Sequence, residues 1–276
     1  MRILGVSRAE RFSPNRSGGD AAVFRAVASE LERRGNEVIC MTEQELVQHG
    51  IPSGVDSIFQ MARGSEALDV LDNAAVPVIN TPQAVRNCSR AVQVSLLSEP
   101  GFIPYTDVRP VSVQPASWRE FPCWLKRGDS HALKPDDVLY IRDYVELMAA
   151  IRVFADRGIS QYVLQAHAIG WLIKFYGVRG EGLTDCYAAT AGNGKFGLER
   201  YNDVSDQASV DMDALTALAE RAAGMLEVDV YGGDAVVGAD GSFTLIDFND
   251  WPSFRTCTVG AAQKIADMII RKSNGR

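Results

Sequence analysis

Short apolar runs alternate with helical stretches from Arg2 to Ile79, and this alternation limits the fold more than any other feature. Arg2–Val6 reads as a buried strand, followed by a polar loop, Ser7–Gly19, that holds Ser13-Pro14-Asn15 and a glycine pair. Asp20 is placed to cap a helix whose apolar face is Val23, Val27 and Leu31 and which ends near Gly35. Val38–Met41 reads as the second strand, and Ser57–Gln60 and Val76–Ile79 as two more with a short helix between them. Alternation of this kind implies a parallel sheet with helices on its faces.

The pattern then changes. Gln83–Ser98 reads as one helix, stopped by Pro100-Gly101. Phe121–Lys126, Val138–Ile141 and Gln161–Gln165 read as strands around an amphipathic helix at Asp143–Arg157, which makes a small α+β lobe. Strands follow at Leu172–Val178 and near Cys186–Thr190, then a helix at Asp211–Leu226. The strands Val230–Val237 and Phe243–Phe248 flank Gly238-Ala239-Asp240-Gly241, a hairpin signal, and a closing helix spans roughly Gly260–Arg271. With 276 residues and 46% hydrophobic content, two or three compact lobes are expected.

Charge and cysteine usage narrow the function. A net charge of −7 and a pI near 5.1 argue against a nucleic-acid partner, whose footprint would be basic. The opening MRILGV is too brief for a signal peptide, and no run of apolar residues is long enough for a membrane span. The five cysteines, Cys40, Cys88, Cys123, Cys186 and Cys257, form no CxxC pair, which fits reduced thiols in a cytoplasmic protein.

The chemistry concentrates at the C-terminal hairpin. Alternation puts Asp247 and Asn249 on one face of their strand, and Asp234 on the partner strand can face the same side. Two carboxylates and an amide suit a hard cation such as Mg²⁺, with water and phosphate completing the shell. Ordinary solvent-facing residues on an edge hairpin are the alternative reading of the same three positions.

The order of an Asp, then Ile246-Asp247-Phe248-Asn249-Asp250-Trp251-Pro252, resembles the C-terminal signature of the ATP-grasp family, in which these acids and the Asn hold Mg²⁺ against ATP. The chain departs at Ser253, where many members have Gly. Further strings resemble the family in the same order. Asn80-Thr81-Pro82-Gln83-Ala84-Val85 is similar to the segment opening the ATP-grasp portion of ribosomal-protein glutamate ligases, with Arg90 near a basic position that reaches the phosphates. Phe121-Pro122-Cys123-Trp124-Leu125-Lys126 resembles the apolar strand ending in a phosphate-binding Lys. Val163-Leu164-Gln165-Ala166-His167-Ala168-Ile169-Gly170 resembles the hinge whose strand backbone reads the adenine edge. The usual acid is replaced there by Ala166-His167, so the resemblance leaves ribose recognition to His167 or to backbone groups. Lys174 stands where the family has a basic residue that would neutralise the γ-phosphate. Ser130-His131 is similar to a pair in inositol-phosphate kinases of this fold, which implies a contact of His131 with the transferred phosphate.

The resemblance implies an ATP-grasp fold with a preceding Rossmann-like parallel-sheet domain. Its expected parts are an N-terminal α/β domain at 1–82, a connecting helix and linker at 83–120, a lid lobe at 121–168 and a C-terminal lobe with the magnesium site at 169–276. It implies ATP and Mg²⁺ as cofactors, a small-molecule substrate and, as is common in the family, a homodimer. The reaction it implies is ligation of a carboxylate to an amine through an acylphosphate. A kinase acting on a hydroxyl or polyol is the alternative, and an ATP-binding regulator without turnover is a third reading. The few cations near the site beyond Arg127, Arg179, Lys195, Arg200 and Arg255 favour the ligase, because a polyphosphate substrate needs a dense basic patch. The acceptor is expected to border Ser7–Gly19, Asn193–Arg200 and Trp251–Thr256.

Overall fold

A computed structural model describes residues 1–12, 17–129, 132, 134–189, 198–202 and 210–275. The N-terminal strands are β1 (Arg2–Ser7), β2 (Glu37–Thr42), β3 (Ser57–Gln60) and β4 (Val78–Ile79). They form an all-parallel sheet in the order β2-β1-β3-β4. Its connecting helices are α1 (Ser17–Arg33), α2 (Glu43–His49) and α3 (Ser65–Asp72). β1 is central and therefore apolar on both sides. Ile3 packs towards α1, while Leu4 and Val6 pack towards α2 and α3.

Two local readings change here. α1 starts ahead of Asp20, which lies in its first turn and pairs with Arg8 at 2.9 Å instead of capping the helix. The short α2, which the apolar pattern does not announce, is fixed by a capping box between Thr42 and Glu45.

The stretch expected as one helix at Gln83–Ser98 is two, α4 (Pro82–Asn87) and α5 (Arg90–Leu96). Ser89 is extended between them, and the buried Gln93 side chain holds the Cys88 and Phe248 carbonyls at 2.7 and 2.5 Å. The middle lobe is an antiparallel sheet of β5 (Thr106–Pro110), β6 (Cys123–Arg127), β7 (Val138–Ile141) and β8 (Gln161–Ala166), with α6 (Tyr144–Asp156) on one face. The order is β5-β8-β6-β7. β5 falls in the stretch expected as linker. Its sequence, TDVRP, carries charges and a proline, as suits an edge strand.

The last lobe holds β9 (Trp171–Val178), β10 (Gly182–Ala188), α7 (Met212–Met225), β11 (Val230–Val237), β12 (Phe243–Asp250) and α8 (Thr258–Asn274). Its sheet is antiparallel, β10-β9-β11-β12, and includes the expected hairpin.

The first and last lobes share a core. Val23, Val27 and Leu31 of α1 sit in one cluster with Ile265, Met268 and Ile269 of α8 and with Val178 and Val230. Asn80 adds polar pins, donating to Val230 O at 2.9 Å and accepting from Asp229 N and Val230 N at 2.8 Å each. The middle lobe instead has its own core, built around Leu125, Leu147, Phe154 and Leu164. All five cysteines are free, and no helix among the described residues is long and apolar enough to cross a membrane.

Candidate functional site

Three strands of the last sheet bring three charged residues into one row. Lys174 on β9 is the register partner of Asp234 on β11, and Asp234 is the partner of Asp247 on β12. Lys174 Nζ donates to both carboxylate oxygens of Asp234 at 2.7 Å. Asn249 lies two residues along β12 from Asp247, on the same face, and its side chain hydrogen-bonds Asp247. Lys126 reaches this row from β6, donating to Gln165 Oε1 at 2.7 Å and to Ile246 O at 2.8 Å. Arg90, the first residue of α5, brings Nη2 to 4.0 Å from Asp247 Oδ2 and donates to Arg127 O at 3.3 Å. All six residues line one cleft of about 310 Å³ between the lobes.

The charges set one another's state. Burial pushes Lys126 down to about 8, with Arg90 adding to the fall and Asp247 and Asp234 opposing it. Burial also pushes Asp247 up, but Arg90, Lys126, the Asn249 hydrogen bond and Lys174 together outweigh it and leave the carboxyl below its usual range. For Lys174, burial is outweighed by Asp234, and the ammonium is held charged above its usual range. If Lys126 must be cationic to bind phosphate, kcat/KM for ATP falls as pH rises through about 8, because the ammonium is lost there. Lys126→Arg should remove that alkaline limb, since a guanidinium stays charged. An unchanged limb in this variant would assign it to another group.

Asp234, Asp247 and Asn249 offer oxygen donors on adjacent strands, a donor set that fits a hard divalent cation sharing its shell with phosphate and water. Among the described residues no cluster of three His, Cys, Asp or Glu side chains gathers as a self-sufficient metal site. A partial protein shell suits Mg²⁺, which retains waters and takes phosphate oxygens.

Beside Lys126 the cleft becomes an apolar slot with Trp124, Val138, Leu172, Leu198 and Ile246 on its walls. The expected adenine-reading backbone at Val163, Leu164 and Gln165 is corrected. β8 lies between β5 and β6, so both of its hydrogen-bonding edges are spent in the sheet. Leu164 belongs to the core of the middle lobe, and Val163 and Gln165 flank a small cavity behind Lys126. Gln165 contributes instead by holding Lys126. The chain leaves the sheet past Ala166, and Gly170 then passes so close to β11 that a Cβ would lie 2.1 Å from Val237 O. His167 does not line the cleft. Its Nδ1 accepts from Trp124 Nε1 at 3.2 Å, and its ring meets Tyr140 edge-on within a cluster that includes Tyr201. His131 and Lys195 lie outside the described residues.

The other end of the cleft holds residues that the motifs do not mark. Arg8 and Arg63 follow β1 and β3, at the carboxyl ends of parallel strands where α/β sheets bind ligands, and that position was the available signal. With Asp20 and Asp250 they form a buried ionic cluster. Of the loops expected to border the acceptor, Arg8 and Phe12, Leu198, and Trp251, Pro252 and Ser253 line the cleft. Nearby, the Tyr176 hydroxyl lies 2.9 Å from that of Tyr187 and hydrogen-bonds Ser253.

No family model and no curated protein matches the sequence. Solved structures match over nearly the whole chain. D-alanine–D-alanine ligase from Bacillus anthracis, complexed with ATP, has a TM-score of 0.73 at 15% identity, covering 99% of this chain and 97% of that one. A RimK domain ATP-grasp protein from Sphaerobacter thermophilus gives 0.71 at 18%, covering 98% and 100%. The ATP-grasp ligase PsnB, complexed with a minimal precursor, gives 0.65 at 16%, covering 98% of each.

Proposed function

We propose, from an ATP-grasp fold that extends over nearly the whole chain, that this protein is an ATP-dependent carboxylate–amine ligase. The observation that carries the reading is the meeting of three cations, two carboxylates and an amide between an apolar slot and a charged far end of one cleft. The slot suits a purine, the charged row suits its phosphates, and the far end suits an acceptor.

In this reading Lys126 and Arg90 hold the phosphates and Lys174 faces the charge that develops on the transferred group. Asp234, Asp247 and Asn249 would hold Mg²⁺, which neutralises phosphate charge when bound. An oxygen of the acceptor carboxylate attacks the γ-phosphorus, the bond to ADP breaks, and an acyl phosphate forms. The amine then attacks the acyl carbon, phosphate leaves, and the amine's proton is lost to solvent or base. Positioning and charge neutralisation carry such a reaction, so no covalent nucleophile of the protein is needed.

Hydroxylamine tests the intermediate. With ATP and a competent acid it should yield a hydroxamate in step with ADP, while free phosphate appears in equal amount. Labelled γ-phosphate that stays on the acceptor, with no hydroxamate, would instead identify a kinase, because an alkyl phosphate is inert to amines.

A further inference from the structure

Four buried charges at the far end of the cleft take no part in the proposed handling of ATP. Arg8 donates to Asp20 Oδ2 at 2.9 Å, to Met61 O at 3.1 Å and to Trp251 O at 3.2 Å. Arg63 donates to Asp250 Oδ1 at 2.5 Å, and Asp250 Oδ2 lies 3.6 Å from Arg8. The two arginine-bearing loops are fixed by one side chain. The buried Glu43 carboxylate accepts from Ala9 N at 2.9 Å, Arg63 N at 3.1 Å and Gly64 N at 3.0 Å. The Asp250 side chain is 0% exposed, whereas those of Arg8, Asp20 and Arg63 are 8%, 11% and 13% exposed. All four line the cleft, with Asp250 the most deeply buried, so the two guanidiniums and the Asp20 carboxylate are the groups a ligand reaches first.

Apolar residues would join two lobes at less desolvation cost than four ions, and ionic clusters sunk in a cleft are characteristic of binding sites. The charges cancel, two positive against two negative. An ion of either sign would leave uncompensated charge where little water reaches, whereas a zwitterion adds one charge of each kind. The cluster also stands apart from the phosphate row. Asp250 is three residues along β12 from Asp247, about 10 Å of strand, so one carboxylate cannot serve both ends.

Resting on the ligase reading, we infer that Arg8, Arg63 and Asp20 form a subsite for the ammonium-and-carboxylate head of an α-amino dicarboxylic acid. The guanidiniums take its α-carboxylate and Asp20 its ammonium, and its side-chain carboxylate is the one activated.

Calorimetric titration of the ADP-bound protein with glutamate, glutarate and alanine reads the subsite without requiring turnover. Glutamate should bind at least about tenfold more tightly than glutarate, which lacks the ammonium, or alanine, which lacks the second carboxylate. Equal binding of the three, or no binding of glutamate, its shorter homologue aspartate or its longer homologue aminoadipate, overturns the inference. In the hydroxylamine assay, hydroxamate from the amino diacids alone supports it. Hydroxamate formed equally from glutarate or alanine overturns the subsite and leaves the ligase reading standing. Binding of glutamate without hydroxamate keeps the subsite and counts against the ligase. Arg63→Lys and Asp20→Asn should each weaken glutamate binding about tenfold, with ADP affinity as the reference for a folded site. Unchanged glutamate affinity in folded Asp20→Asn also overturns the assignment.

Discussion

Asp247→Asn is expected to lower ATP turnover by at least about a hundredfold while the protein still folds and still binds nucleotide. The substitution keeps the shape of a strand residue and removes one of the two carboxylates in the row. The three cations of the site would remain, because Arg90, Lys126 and Lys174 are all attracted to Asp247 while other hydrogen bonds hold them in position. A second effect follows from the same charges. Asp247 raises the Lys126 pKa, so its removal should move the alkaline limb of kcat/KM to lower pH. ADP release across a Mg²⁺ titration and a pH series, with a thermal melt as the folding control, measures both. Near-wild-type consumption with unchanged metal dependence would sink the metal assignment.

Lys126→Met should cost about 2–4 kcal/mol in kcat/KM for ATP, the scale seen when a donor to developing charge is lost. An ammonium has three donors, and two of Lys126's are taken by Gln165 Oε1 and Ile246 O. Those two bonds leave the third for the cleft while tying the middle lobe to the last sheet. Methionine fills the same space without charge, which keeps the loss electrostatic and avoids opening a cavity. Lys174→Ala should cost a similar amount, and it also strips Asp234 of its counter-ion. If steady-state kinetics show neither variant changing ATP affinity or rate, these strands do not hold the phosphates.

What the sequence revealed depended on how local each signal was. Asp247 and Asn249 were legible because period-two alternation and the Asp240-Gly241 turn lie within one hairpin. Lys126 and Lys174 stood out as cations within apolar strands. The pairings did not, because Lys174–Asp234 and Lys126–Ile246 join residues 60 and 120 positions apart. β5 is polar and gives no apolar run, and without it β8 reads as an edge whose backbone is available. The hinge at Val163–Gln165 rests on a resemblance of strings, which carries no information about the pairing of β8 with β5 and β6. Cys88 and Ser89 carry no glycine or proline to announce the helix break, which is held by Gln93 from within α5. Arg8 and Arg63 look like solvated loop residues until Asp250 arrives from the far end of the chain.

The packing of α1 against α8 bears on how the molecule is made. α1 leaves the ribosome early, but Ile265, Met268 and Ile269 follow only after nearly all other elements have been synthesised. Until then Val23, Val27 and Leu31 can bury only part of their surface, and one side of the first sheet lacks its full cover. The middle lobe has no such dependence, since its core draws on residues within a single continuous segment. Translation therefore favours a nascent chain in which the middle lobe condenses before the first, which waits for α8.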